Sequence, residues 1–210
     1  MLKILVVDDH AMLRQGLKHT LAEAYPGAVF GEAQNAQEVF QLLRRQVWDI
    51  VILDIGLPGR NGLEVLKDLK QDRPKMPVLV LSMYPEDQFA VRVLKAGAAG
   101  YMTKESASEE LVKAVAKVLA GGKYISPALA EKLAFDLGTD TDKARHEALS
   151  DREYQVMCRI AAGKTVSEIA AELSLSVKTI STYRTHILTK LQMKTNAEVT
   201  RYAIENRLVD

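Results

Sequence analysis

The sequence predicts a two-part protein: a doubly wound α/β domain with a five-stranded parallel sheet, then an all-α domain. Three observations carry this. Over residues 1–121, short apolar runs alternate with longer amphipathic stretches. The apolar runs are almost continuous in Val, Ile and Leu, as strands buried on both faces are. From residue 150 onward only helical periods remain.

The strand-like runs are 2–7, 28–33, 50–53, 77–81 and 100–102. Helical patterns lie between and after them, near 11–25, 36–46, 63–71, 86–97 and 107–120. Asn35 with Glu38 is a capping-box pair for the second helix. Five strands alternating with five helices predict a parallel, doubly wound sheet; its order is taken as 2-1-3-4-5, one of the two common doubly wound orders. The tail reads as four helices, about 151–162, 166–173, 177–192 and 196–206. Ser150/Glu153, Thr165/Glu168 and Thr195/Glu198 have the S/T-x-x-E spacing, Ser176 is a cap for the third tail helix, and Gly163 ends the first. Residues 136–148 are polar and without period, a linker, and 127–137 reads as a bridging helix. The expected domains are therefore 1–121, a connecting segment 122–148 that is part helical, and 149–210.

The totals set limits. The chain has 210 residues, 48% hydrophobic and 26% charged, with a formal charge of +1. Overall charge steers it towards neither nucleic acid nor membranes, so any basic surface is local. The single cysteine, Cys158, excludes an internal disulfide and fits a reducing cytosol. It reads as a small buried hydrophobe in preference to a redox sensor. The start lacks the apolar length of a signal peptide, and no stretch approaches a membrane span. A cytoplasmic protein with no membrane partner is expected.

Ligands of an open parallel sheet bind beyond the carboxyl ends of its strands. The first strand ends in Asp8-Asp9, the third in Asp54, the fourth in Ser82 and the fifth in Thr103-Lys104. Neighbouring strands lie about 4.8 Å apart, so the three acids converge and Lys104 can reach Asp54 from two strands away. Close carboxylates repel, and Mg²⁺ removes the conflict: it takes one or two carboxylates, keeps waters and accepts phosphate oxygens. Asp54 is then free to attack phosphorus and form an aspartyl phosphate. In "LDIGLPGRNG", Pro58, Gly59 and Gly62 shape a loop that lets the Gly56 carbonyl reach the metal. Taken singly, Asp8, Asp9, Ser82 and Lys104 read as solvated edge polarity, as Asp49 does at a strand start. Their joint placement points to a site.

These residues carry a resemblance. Through "VVDDH", "LDIGLPGRNG", "LSMY" and "YMTK", residues 1–121 resemble the flavodoxin-like receiver domain of a bacterial two-component response regulator. The resemblance implies Asp54 as phosphoacceptor, Asp8 and Asp9 as metal acids, Ser82 as switch hydroxyl and Lys104 as the lysine that stabilises the phosphate. It also implies that Tyr101 is the aromatic that changes rotamer on activation. The competing reading is a Mg²⁺-dependent phosphohydrolase. A haloacid-dehalogenase-like enzyme has an acid/base Asp two residues after its nucleophile, where this chain has Gly56. His10 is the one histidine near the predicted edge that could replace it.

In the tail, Ile169, Ala170 and Leu173 form one apolar helix face, and Ile180, Ile187 and Leu191 another. The opposite face of the second carries Lys178, Thr179, Ser181, Thr182, Arg184, Thr185 and Lys190. Residues 174–197 contain no acid, so Lys178, Arg184, Lys190 and Lys194 are expected to be unopposed, a local footprint for phosphates. A basic but merely solvated face is the alternative. Through "LSDRE", "SEIA", "KTIS" and "KL", residues 149–207 resemble the LuxR-type helix-turn-helix of the NarL/FixJ group. The resemblance places Ser181, Thr182 and Thr185 towards bases and Lys178, Thr179 and Arg184 towards phosphates. Tyr183 stands where many members have His. Helix-turn-helix grammar favours duplex DNA over RNA. A sensor histidine kinase, promoter DNA and a second copy of the chain on activation are the implied partners.

Overall fold

The computed structural model describes residues 1–127, 129–131, 145–206 and 208–209. The chain divides into two compact units, Met1–Lys132 and Leu133–Asp210. The first holds strands β1 (Lys3–Val7), β2 (Val29–Ala33), β3 (Ile50–Asp54), β4 (Val78–Ser82) and β5 (Gly100–Thr103). Between and after them run α1 (Ala11–Ala24), α2 (Ala36–Arg45), α3 (Gly62–Asp72), α4 (Glu86–Lys95) and α5 (Ala107–Leu119). The strands form one parallel sheet in the order β2-β1-β3-β4-β5. Every residue of β3 and β4 is buried, because the crossover helices cover both faces of the central strands. One core layer joins Ile4, Ile52, Leu79 and Leu81 to Leu17, Leu21, Leu111 and Val115.

The last three strands end one residue beyond the apolar runs. β3 includes Asp54, paired with Leu81, and β4 includes Ser82, paired with Thr103. The ladder of backbone hydrogen bonds extends one residue past the last apolar side chain, so both functional positions are held by sheet geometry. The β5 edge is covered by the chain itself: Tyr101 donates its N–H to the Tyr124 carbonyl (3.1 Å), and Tyr124 donates to Ala99 (2.8 Å).

The second unit holds a short 3-10 turn (Arg145–Ala148), α6 (Asp151–Ala161), α7 (Val166–Glu172), α8 (Val177–Leu191) and α9 (Asn196–Glu205). Closed capping boxes start α6 at Ser150 and α7 at Thr165. At Thr195 the box is not closed: its hydroxyl caps the Glu198 N–H, but the Glu198 carboxylate takes the Lys194 N–H one residue earlier (2.8 Å). Asn35 and Glu38 behave alike, with Glu38 reaching the Gln34 N–H (2.9 Å). Gly163 follows α6 with φ +82°, the left-handed conformation that ends a helix. Of the expected bridging helix, Pro127 and residues 129–131 are helical, and the remainder lies outside the described residues. The expected linker likewise falls outside them except for its end, which forms the 3-10 turn.

Candidate functional site

The carboxyl edge of the sheet brings the predicted residues together. Asp8 ends up directly after β1 and Asp54 at the end of β3, both almost fully buried. Lys104, directly after β5, reaches across β4: its Nζ lies 2.7 Å from Asp8 Oδ2 and 2.8 Å from Asp54 Oδ2. The contact to Asp8 is an ion pair without hydrogen-bond geometry, since Asp8 Oδ2 has no hydrogen-bond partner, and neither has Asp9 Oδ1. One donor atom from each of Asp8, Asp9, His10 and Asp54 lies within 4.8 Å of all the others. His10 Nδ1 sits 2.8 Å from Asp9 Oδ1 and 3.1 Å from Asp8 Oδ1.

Burial dominates the electrostatics. It pushes the Asp54 carboxyl above its ordinary range, with Lys104 pulling down and Asp8 pushing up. Burial also works against charge on Lys104, but Asp54 and Asp8 outweigh it, so the ammonium is held above its usual value. The edge thus carries more negative charge than one lysine balances. Oxygen donors, among them carboxylate oxygens in ion-pair contact but without a hydrogen bond, fit a hard divalent cation.

The loop after Asp54 explains "LDIGLPGRNG". The Gly56 N–H donates to Asp54 Oδ1 (2.8 Å). A Cβ on Gly56 would sit 3.1 Å and 3.3 Å from the two carboxylate oxygens, crowding the Asp54 carboxylate. A Cβ on Gly62 would lie 2.2 Å from the Asp54 carbonyl oxygen. The buried Asn61 side chain caps α3 at the Leu63 N–H (3.0 Å).

Ser82 is buried, its Oγ accepting the Tyr84 N–H (3.0 Å), and Lys104 N–H donates to the Ser82 carbonyl (2.8 Å). Tyr101 is fully buried, and burial raises its hydroxyl against the Ser82 hydrogen bond. One residue at this edge escaped the sequence reading. Arg14 lies on the buried face of α1 with Leu17 and Leu21, and its guanidinium donates to the Asp8 carbonyl (2.6 Å). A charged residue at an apolar helix position was the available signal.

In the second unit, α8 buries Ile180, Ile187 and Leu191. Lys178, Ser181, Thr182, Thr185 and Lys190 are exposed, while Thr179 and Arg184 are half-buried. The expectation of four unopposed cations is corrected for one, Lys190; Arg184 gains a neutral amide partner, not an acid. Lys190 Nζ pairs with Glu153 Oε2 of α6 (2.6 Å), and Arg184 Nε donates to Asn196 Oδ1 (2.6 Å). An acid-free stretch does not prevent a partner arriving from another helix. Among the described residues, the Lys178 and Lys194 ammonium groups have no carboxylate in ion-pair reach. Thr179 is drawn into the Ser176 cap (Oγ to Oγ1, 2.8 Å).

A carboxylate-and-lysine edge on a sheet of this order, with a capped helix-turn-helix unit in the same chain, is the build of a phosphate-responsive regulator. Residues 4–116 match the response regulator receiver domain, and residues 147–203 match the bacterial regulatory proteins of the luxR family. The chain is 38% identical to response regulator GacA of Pseudomonas aeruginosa, over 100% of its length and 99% of that protein's. It is 32% identical to response regulator UvrY of Escherichia coli, over 99% of this chain and 96% of that one. The chain therefore belongs to the response regulators of the NarL/FixJ group. In fold it resembles the RcsB response regulator of Salmonella typhimurium, at 25% identity and TM-score 0.58, covering 97% of this chain and 98% of that one. A structure of RcsB from Salmonella enterica serovar Typhimurium bound to promoter rprA with phosphomimetic beryllofluoride matches at TM-score 0.63 and 25% identity, covering 96% and 98%. Among the described residues, no helix is long and apolar enough to cross a membrane.

Proposed function

We propose that this phosphorylation-controlled transcription regulator works in the cytoplasm and takes its phosphoryl group on Asp54, from a phosphohistidine of a sensor histidine kinase. A carboxylate oxygen of Asp54 bonds to phosphorus as the phosphorus–nitrogen bond of the donor breaks. The observation that carries this reading is the Lys104 ammonium set between Asp8 and Asp54 at ion-pair distance. It balances charge before the reaction and stays within reach of the phosphoryl oxygens after it. Asp8, Asp9, Asp54 and the Gly56 carbonyl would hold Mg²⁺, which when bound offsets carboxylate and phosphoryl charge.

Ser82 and Tyr101 relay the change to the surface formed by α4, β5 and α5. The chain then pairs with a second copy and binds promoter DNA through α8; RcsB structures bound to promoter DNA in the presence of a phosphomimetic support DNA as the partner. Lys178, Thr179, Arg184 and Lys190 approach phosphates, Lys190 by leaving Glu153. Ser181, Thr182 and Thr185 approach base edges. The phosphate is stored instead of turned over: Gly56 offers no acid or base beside Asp54, so sustained hydrolysis of phosphomonoesters is not expected.

The test combines mass and binding. With a small phosphodonor and Mg²⁺, wild type gains one phosphate and binds promoter fragments more tightly, and Asp54→Asn does neither. A normal mass gain in Asp54→Asn rejects the acceptor. A normal gain in wild type without any change in DNA affinity rejects the coupling.

A further inference from the structure

We infer that Arg14 is a positioning residue for cation binding at the acidic edge, acting through the Asp8 carbonyl. This rests on the reading of Asp8 and Asp9 as metal ligands. Arg14 lies on the core stripe of α1, where an uncompensated charge is costly and an apolar residue would pack without penalty. Its guanidinium bonds in two directions. One arm donates to the Asp8 carbonyl (2.6 Å), and Nε donates to Glu32 Oε2 on β2 (3.3 Å). Glu32 is itself anchored by Lys18 and by Gln15 Nε2 (3.4 Å), and the hydrogen bond from Lys18 leads in holding its carboxyl below the usual range.

The consequence falls on the two acids. The Asp8 N–H is fixed to the Ala33 carbonyl (3.1 Å), and its carbonyl is fixed by Arg14, so both peptide planes flanking Asp8 are set. The second of these planes carries Asp9. Asp9 Oδ1 has no hydrogen bond and meets the exposed His10 ring as an ion-pair neighbour (2.8 Å), so its direction depends chiefly on the backbone that carries both residues. A planar fork that reaches β2 and Asp8 together is a geometry that Lys cannot copy in full.

The experiment measures Mn²⁺ binding to the full chain from the loss of the free-ion paramagnetic resonance signal, beside thermal unfolding and the Mg²⁺ dependence of phosphorylation by acetyl phosphate. Arg14→Met should weaken Mn²⁺ binding about tenfold, the scale of lost outer-sphere support. It should raise the Mg²⁺ half-saturation in parallel and leave the saturated rate near wild type. Glu32→Gln should weaken binding less, and should add nothing on the Arg14→Met background. Arg14→Lys, which keeps one donor for the Asp8 carbonyl, should recover part of the loss. A purely structural Arg14 would lower the unfolding temperature without moving the Mn²⁺ constant, and that result overturns the inference. If Arg14→Met does not fold, unchanged Mn²⁺ binding in Glu32→Gln overturns it equally. Asp9→Asn separates the two claims: loss of Mn²⁺ binding there, with none in the Arg14 and Glu32 variants, leaves the metal site standing and removes Arg14 from it.

Discussion

Tyr101 donates its hydroxyl to the carbonyl oxygen of Tyr84 at 2.8 Å. This bond ties β5 to the loop that follows Ser82, whose own Oγ accepts the Tyr84 N–H. The hydroxyl thus reads the position of the loop next to the proposed phosphate. Tyr101→Phe keeps the buried ring and leaves the Tyr84 carbonyl without this donor. It should lower stability by about 1–2 kcal/mol, as loss of a buried hydrogen bond does. Phosphate uptake should persist, and its effect on DNA affinity should shrink. A variant with full coupling would remove the hydroxyl from the switch. The same group gives a pH signature. Its folded pKa is raised above 10.0, so its contribution is whole below that pH and lost as pH rises beyond it. Alkaline loss of stability should be shallower in Tyr101→Phe than in wild type.

Gly62 and Gly59 share a loop but serve different ends. A Cβ on Gly62 would meet backbone on two sides, the Asp54 carbonyl oxygen at 2.2 Å and Ile55 Cα at 2.6 Å. Gly59 has φ +71° and open space around it. Gly62→Ala should cost about 3 kcal/mol, the upper end for overpacking, and slow phosphorylation because Asp54 itself must shift. Gly59→Ala should cost only about 1 kcal/mol of backbone strain and leave the phosphorylation rate alone. Chemical denaturation and phosphate uptake, measured on both, separate the two roles. Equal rates in the two variants would remove the steric account.

Much of this was readable in the chain. The strands and the polar groups that end them follow from apolar period and strand-end chemistry, which are local in sequence; the convergence of Asp8, Asp54 and Lys104 needed in addition the supposed order 2-1-3-4-5, which the sheet has. Arg14 was harder to read: Asp8 is only six positions away, but Glu32 is eighteen away and meets it only through the sheet register. The pairing of Lys190 with Glu153 was hidden for the same reason. The two residues are 37 positions apart, and composition along α8 says nothing about α6.

Glu153 sets an acid limit on the second unit. Burial works to raise its carboxyl, but the Lys190 hydrogen bond and the Ser150 cap outweigh burial and bring it below 4.5. A depressed carboxyl contributes stability above its unfolded value and loses it as pH falls through the folded one. Unfolding of wild type should therefore steepen below about pH 4.5, and Glu153→Gln should flatten that limb. An unchanged acid limb in the variant would show that Glu153 is not the group responsible.

The recognition helix separates two kinds of contact, and the Glu153 pair sharpens the separation. Lys178 is exposed and has no carboxylate near it among the described residues, so Lys178→Ala should weaken binding to all DNA about equally. It should also flatten the slope of log affinity against log salt by about one unit. Lys190→Ala should behave differently, because it also strips Glu153 of its partner: the unit should lose stability as well as affinity. Thr182 and Thr185 donate their hydroxyls back to the carbonyls of Lys178 and Ser181, at 3.0 Å and 3.1 Å, leaving oxygen lone pairs directed outward. Such oxygens accept from the amino groups that adenine and cytosine present in the major groove. Changing either threonine to alanine should cost about 1–3 kcal/mol on the preferred site and little on random DNA. Binding isotherms across a salt series, with circular dichroism to confirm helix content, yield a pattern that a general folding defect cannot copy. If Lys178→Ala leaves the salt slope untouched and Thr182→Ala weakens specific and random DNA alike, α8 does not dock by this face. The DNA surface would then have to lie around Lys194, just before α9, and Arg201, on α9, both exposed.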